Sequence, residues 1–226
     1  MNASYFEEVC TPKMCRDAKY GNTKFSYNIM ALSVNGCLNV GNMIRSANIN
    51  GAKRFFVFGK RKYDKRSAMT LYNHVEVIRI SKEFPDGIKE SDKNREKIDK
   101  VTKNLLEKTD YDFDSELFIQ IMNQYHMVPV FIEQSKNSIL LNEINWKYQL
   151  SQVPKGKEIC LIMGNEKYGV PQNILDTQKS FEGSFSIEIP QTGIISSYNV
   201  SNCAAIILNN IFNHFTKDTY DKYNLF

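Results

Sequence analysis

Three short segments constrain this chain more than anything else in it. Each couples an apolar, strand-like run to a turn rich in glycine, asparagine or hydroxyl residues. The first is NVGNMIRSAN, Asn39 to Asn48. The second is LIMGNEKYGVP, Leu161 to Pro171. The third is IPQTGIISSYNVSNCAA, Ile189 to Ala205. The first and third run on into helix-like sequence. Together they bring Asn39, Arg45, Glu166, Ser197 and Asn199 to strand ends, which is where α/β sheets bind ligands.

The rest of the chain fits that frame. Tyr27–Ser33, Arg54–Phe58, Val75–Ile80, Val128–Glu133, Ile159–Met163 and Phe185–Ile189 are short and rich in Val, Ile and Phe, as buried strands are. Asn39 suits an N-cap and Gly51 a C′ position, which brackets a helix over Val40–Asn50. Helical apolar spacing recurs at Ile98, Val101 and Leu105, at Leu117, Phe118, Ile121, Met122 and Tyr125, and at Ala204, Ile207, Leu208, Ile211 and Phe215. Alternating strands and helices predict an α/β fold, a mainly parallel sheet with helices on both faces.

The chain has 226 residues, 42% of them hydrophobic, enough for one large domain. No apolar run reaches the roughly 18 residues that a membrane span needs. The opening residues, MNASYFEEVC, lack the apolar region of a secretory signal. Cys10, Cys15, Cys37, Cys160 and Cys203 are odd in number and form no CxxC pair, so neither a disulfide framework nor a zinc site is expected. These features point to a reducing, cytoplasmic setting, with organelle and nucleus left open.

Residues 1–25 are polar with little periodicity and read as an N-terminal arm. Residues 26–226 read as one domain, interrupted by a charged insertion at about 81–116. Lys82 to Lys100 holds six basic and six acidic residues, which predicts an exposed helical insertion. The net charge of +4 is mild. Its distribution is not: Lys53 to Arg66 holds seven basic residues and one acidic. Such a run is most often a solvated loop. Here it would follow a strand on the motif edge, where Lys60, Arg61, Lys62, Lys65 and Arg66 suit phosphate-backbone contact.

Several chemistries are missing. There is no G-x-G-x-x-G, no G-x-S-x-G, and no Lys or Ser/Thr after Gly164–Gly169 to complete a P-loop. His74, His126 and His214 lack metal-ligand spacing, so no metal is expected. Gly164, Gly169 and Gly193 allow close backbone approach, as a purine pocket needs. Taken singly, they are turn glycines, Arg45 is a surface arginine, and Ser197 and Asn199 cap a helix.

In this order the three segments resemble the SpoU/TrmH family of the SPOUT superfamily, S-adenosylmethionine-dependent RNA ribose 2′-O-methyltransferases. The first family pattern is met by Asn39, Gly41, Arg45, Ser46 and Ala47, and the second by Gly164, Glu166 and Gly169. The third is met by Ile189, Pro190, Gly193, Ser197, Asn199, Val200 and Ser201, with Tyr198 in place of the usual Leu and Gln191 where Met is common. The resemblance implies a deep trefoil knot over roughly residues 160–210 and a homodimer paired through it. It implies S-adenosylmethionine held by Ile132, Met163, Gly164, Gly169, Ile189, Gln191, Ser197 and Tyr198. The implied catalytic set is Arg45, Asn39, Glu166, Ser197 and Asn199. The substrate would be transfer or ribosomal RNA, with transfer RNA favoured because no additional RNA-binding domain is recognisable. Two other readings stay open: an RNA-binding homologue without activity, and an unrelated α/β nucleotide- or anion-binding protein.

Overall fold

Neighbouring residues on the central strands bury on opposite faces, and two cores result. In the computed structural model, which describes residues 26–59, 66–69, 75–81, 84–89, 114–195 and 197–223, strand β1 (Tyr27–Leu32) is buried along its whole length. Ile29 and Ala31 enter one core, Met30 and Leu32 the other. Strand β2 (Arg54–Phe58) divides likewise, with Phe55 and Val57 on one face and Phe56 and Phe58 on the other.

The element order is β1, α1 (Cys37–Ile49), β2, β3 (Glu76–Ser81), β4 (Phe84–Lys89), α2 (Ser115–Gln124), β5 (Met127–Ile132), β6 (Ile139–Leu140) and α3 (Trp146–Ser151). It continues with β7 (Glu158–Met163), α4 (Gln172–Leu175), a 3₁₀ turn (Asp176–Ser180), β8 (Phe185–Glu188) and α5 (Val200–Tyr223). The strands form one eight-stranded sheet in the order β4-β3-β2-β1-β7-β5-β8-β6. Every pairing is parallel except β3 with β4. Helices α1 and α5 cover one face through Met43, Ile44, Ala47, Ala204, Ile207 and Leu208. Helix α2 covers the other through Leu117, Phe118, Ile121 and Met122. The expected α/β architecture with helices on both faces is therefore present.

Two local expectations need correction. Asn39 is not the cap of α1. The helix starts at Cys37 behind Gly36, whose side makes no capping bond, because the N–H groups there are taken by a carboxylate from a distant segment. The C-terminus is as expected: Gly51 has φ +78°, and Ala52 N donates to Ala47 O (2.9 Å) and Gly51 N to Asn48 O (3.2 Å), a Schellman closure. The stretch read as a helical insertion begins as strand β4, pairing Arg79 with Ile88 and Ile78 with Lys89. It lies at the sheet edge, where Pro85 and Gly87 are tolerated; residues 90–113 lie outside the described residues, as does the N-terminal arm. The apolar stripe of α5 covers the sheet: Ala204, Ile207, Leu208 and Ile211 are fully buried in the core.

The basic run also divides. Lys53 and Arg54 open β2 at the opposite edge of the sheet, where they pair with Glu158 (2.5 and 3.3 Å) and Arg54 also with Glu76 (3.0 Å). Lys60, Arg61, Lys62 and Lys65 lie outside the described residues; Arg66 is described and exposed.

Candidate functional site

The carboxyl ends of β1, β7, β5 and β8 lie side by side. All four are parallel, so their following loops emerge on one edge. That edge is where an open α/β sheet presents ligand-binding loops. The loop after β1 carries Ser33 to Gly36, the loop after β7 Gly164 to Pro171, and the segment after β8 Ile189 to Asn199.

The loop after β7 is pinned by its own residues. Asn165 N donates to Gly169 O and Gly169 N to Asn165 O, both at 2.9 Å. Asn165 Oδ1 accepts from Lys167 N (2.9 Å) and Tyr168 N (3.3 Å), while its Nδ2 donates to Ser33 O (2.8 Å). Such Asx-type bonding is what asparagine offers a tight turn. Ser33 itself has φ +42°, a strained value for a residue with a Cβ. Gly164 is required by proximity: a Cβ there would sit 2.3 Å from Gly169 C and 2.4 Å from Val170 N.

This turn presents Glu166 to the start of α1. Glu166 Oε2 accepts from Asn35 N (2.7 Å), and Oε1 accepts from Gly36 N (2.9 Å) and Asn39 Nδ2 (2.8 Å). A carboxylate at a helix N-terminus also meets the positive end of the helix dipole. Asn39 Oδ1 then accepts from Asn199 Nδ2 (3.1 Å). Asn199 caps α5, its Oδ1 accepting from Ser201 N (2.9 Å) and Ser201 Oγ (2.7 Å). One hydrogen-bonded chain thus joins the three motif segments through Glu166, Asn39, Asn199 and Ser201.

Burial alone would raise the Glu166 pKa. The donors Asn35 N, Asn39 Nδ2 and Gly36 N outweigh it and hold the carboxyl below its ordinary value of 4.5. A carboxylate whose folded pKa is depressed stabilises the fold above the unfolded value and loses that contribution as pH falls through the folded one. Thermal unfolding of the wild type should therefore weaken on acidification below about pH 4.5 more steeply than that of Glu166→Gln. Parallel melting curves for the two proteins between pH 7 and pH 3 would refute this.

Beside the chain lies a cleft of about 350 Å³, lined by Ile132, Glu133, Gly164, Glu166, Tyr168, Gly169, Ile187, Glu188, Ile189, Gln191, Ser197, Tyr198, Val200 and Cys203, among others. The wall mixes apolar side chains with polar and charged ones in comparable measure, Gln134, Asn165 and Lys167 among them. Of the residues expected to hold a cofactor, Ile132, Gly164, Gly169, Ile189, Gln191, Ser197 and Tyr198 line it. Met163 does not: its side chain is buried in the core, because residue 163 ends β7 on its covered face. Arg45, Asn39 and Asn199 also stand outside the wall. Arg45 is exposed on α1 and, among the described residues, makes no hydrogen bond or ion pair. Sequence reasoning passed over Asn165 and Glu133. An asparagine between glycine and glutamate after a strand was a readable signal for the first, and an acidic residue at the tip of an apolar strand for the second.

Among the described residues no three His, Cys, Asp or Glu side chains converge to hold a metal. No helix among them is long and apolar enough to cross a membrane.

Comparison with known proteins agrees with this geometry. An AdoMet-bound rRNA methyltransferase from Sinorhizobium meliloti superposes with a TM-score of 0.54 at 20% identity, covering 85% of this chain and 57% of its own. The SpoU methyltransferase AviRb from Streptomyces viridochromogenes, in complex with AdoMet, gives 0.53 at 17% identity, covering 87% and 60%. The TrmH/SpoU tRNA modifying enzyme of A. aeolicus gives 0.59 at 17% identity, covering 94% and 85%. The chain thus spans less than two thirds of the length of the first two. No curated protein sequence matches it. The model of the SpoU rRNA methylase family matches residues 26–209, which takes in all three motif segments and the cleft they enclose, and the chain belongs to that family.

Proposed function

We propose that the protein transfers a methyl group from S-adenosylmethionine to a ribose 2′-hydroxyl of structured RNA, with transfer RNA favoured over ribosomal RNA. The observation that carries this reading is the bonded chain Glu166–Asn39–Asn199–Ser201 at the edge of the cleft. It fixes the cofactor-side segments against the helix that carries Arg45.

The wall suits the cofactor. Ile132, Ile187, Ile189 and Val200 offer an apolar face to a purine, and Gln191 and Ser197 offer polar partners. When bound, S-adenosylmethionine supplies an already activated methyl group. What remains for the protein is to orient the acceptor oxygen and steady its charge. Arg45 suits the second task, since its planar fork binds ribose and phosphate oxygens. A guanidinium carries hydrogen-bond donors only and has no acceptor for the hydroxyl proton. It therefore lowers the energy of a developing alkoxide while the proton passes to a phosphate or another group. Asn39 and Asn199 hold the helix and the third segment in register; Glu166 fixes Asn39.

The family also implies a trefoil knot through the β7–α5 region and a homodimer, and both belong to this proposal. The α5 stripe is consumed in the core. Exposed apolar groups elsewhere support pairing of two copies: Leu38 (60% exposed) and Ile49 (56%) lie with Arg45 along one stripe of α1, and Ile194 and Ile195 project from the third segment.

Calorimetry with the cofactor and transfer of labelled methyl into bulk RNA, followed by mapping of ribose methylation, test the reading. Binding without transfer to any RNA would favour an inactive homologue. No binding at millimolar cofactor would overturn the reading altogether.

Replacing Lys60, Arg61 and Lys62 by alanine should flatten the dependence of log RNA affinity on log salt by roughly two units, about 0.7–0.9 per lost phosphate contact. Cofactor affinity should not change. An unaltered salt slope would assign the basic run to a solvated face.

A further inference from the structure

Glu133 lines the cleft wall, and the reading above leaves its carboxylate unused. It follows the last residue of β5, so its side chain starts at the carboxyl tip of a central strand. Its backbone N donates to Ile187 O (3.1 Å) and its carbonyl accepts from Ser138 Oγ (2.7 Å), which fixes the residue between β8 and the following loop. The side chain is held as firmly. Oε2 accepts from Val170 N (2.6 Å) and Oε1 from Gln134 N (3.0 Å). Gly169 leaves it room, since a Cβ there would sit 2.4 Å from Oε2. The two backbone bonds lock the carboxylate in one orientation against the cleft.

A carboxylate accepts about four hydrogen bonds. Each Glu133 oxygen uses one, and among the described residues no side chain donates to either. One acceptor site per oxygen remains, on a group that lines the cleft. Burial raises the Cys203 thiol and the charge of Glu133 adds to it; both residues line the cleft. Two adjacent, immobilised acceptors suit a vicinal diol. An acidic side chain at a strand tip in dinucleotide-binding sheets meets ribose in the same way.

We infer that Glu133 is the ribose-recognition residue of the cofactor site, its two carboxylate oxygens accepting hydrogen bonds from the 2′- and 3′-hydroxyls of the adenosine moiety. The inference rests on the proposed cofactor. It adds a specificity determinant: the site would select ribonucleosides over deoxyribonucleosides. It also gives the Gly164–Val170 turn a second task. Val170 N orients the carboxylate, so the turn that positions Glu166 for the RNA side positions Glu133 for the cofactor side.

The test is calorimetry with S-adenosylhomocysteine and its 2′-deoxy and 3′-deoxy analogues on the wild type, Glu133→Gln and Glu188→Gln. The wild type should lose about ten- to hundredfold in affinity for each hydroxyl removed, as expected for hydrogen bonds to a charged group. Glu133→Gln should bind the parent compound weakly and distinguish it from the analogues by only a few-fold. Glutamine keeps an acceptor for Val170 N, and melting curves establish folding. If that variant does not fold, Glu133→Asp, which keeps the charge but draws it back by one methylene, should show an intermediate discrimination. Glu188, the other carboxylate of the wall beyond Glu166, serves as control and should leave the discrimination intact. Wild-type protein indifferent to both hydroxyls, or full discrimination in Glu133→Gln, would overturn the assignment. So would collapse in Glu188→Gln, or loss of S-adenosylmethionine affinity in Glu133→Gln with S-adenosylhomocysteine affinity unchanged, which would place Glu133 at the sulfonium instead. Absence of any binding by the wild type would overturn the proposed cofactor, and the inference with it.

Discussion

Arg45→Ala should lower methyl transfer by about 10²–10³-fold, the usual cost of removing one group that stabilises developing negative charge. Cofactor affinity should stay within about twofold, because Arg45 is not part of the cleft wall. Stability should stay within about 0.5 kcal/mol, since the side chain is exposed and, among the described residues, makes no hydrogen bond or ion pair. This triple outcome separates the role proposed for Arg45 from that of an ordinary surface arginine, whose loss changes none of the three. Single-turnover transfer, calorimetry and thermal melting measure them. Retained turnover would remove Arg45 from the reaction. Lost cofactor binding in a folded variant would move it to the other side of the site. Arg45→Lys should rescue little, because an ammonium cannot reproduce the planar fork.

Gly164→Ala should be the most damaging single methyl that this site can receive. The added Cβ would meet Gly169 C, Gly169 O and Val170 N at 2.3–2.6 Å. These are backbone atoms, so no side chain can swing aside. The turn must move as a whole, and it carries the Asn165–Gly169 bonds, the donor to Glu133 and the Glu166 carboxylate. Overpacking of this kind costs about 1–3 kcal/mol or more, which for a chain of this size lowers Tm by roughly 2–4 °C per kcal/mol. Cofactor affinity should fall by at least about a hundredfold, because walls of the cleft on both sides of Gly164 are displaced. Gly193→Ala provides the contrast. The nearest atoms there stand at 4.0 Å, and the substitution should be nearly silent in both measurements. Equal behaviour of the two variants would contradict the packing account of Gly164.

How far the sequence revealed this molecule depends on where each signal lies. The six central strands were legible because each is mostly buried and rich in apolar residues, Val, Ile and Phe prominent among them. Strands β4 and β6 were not. β4 is an edge strand containing Pro85 and Gly87, and β6 is only the pair Ile139–Leu140; neither carries an apolar run long enough to stand out. Helix α3 is equally short, and its anchor is the buried Trp146, whose Nε1 donates to Asn210 Oδ1 (2.7 Å) on α5. The site was legible as three motifs and opaque as a network. Asn39 read as a helix cap because capping is a local rule. Its real partner, Glu166, lies 127 positions away, and no local rule looks that far. Met163 was implied as a cofactor contact by the family resemblance, largely through backbone; strand alternation places its side chain in the core. Glu133 passed for the end of a strand until Val170 N was seen to hold its carboxylate.

The bonded chain at the cleft has a consequence for when the molecule becomes competent during its synthesis. Asn39 and Asn199 are 160 positions apart. At translation rates of about 5–20 residues per second, the first waits roughly 8–32 s for the second to be made. Strands β1 and β2 with helix α1 can form early from local contacts. Glu166 must then arrive between β1 and β5, and Asn199 must dock last. Contacts this distant close slowly and contribute to the late stages of folding. Arg45 is displayed on a helix that is complete long before the cleft exists. Until Asn199 has been made, the bond that ties the third segment to Asn39 cannot form.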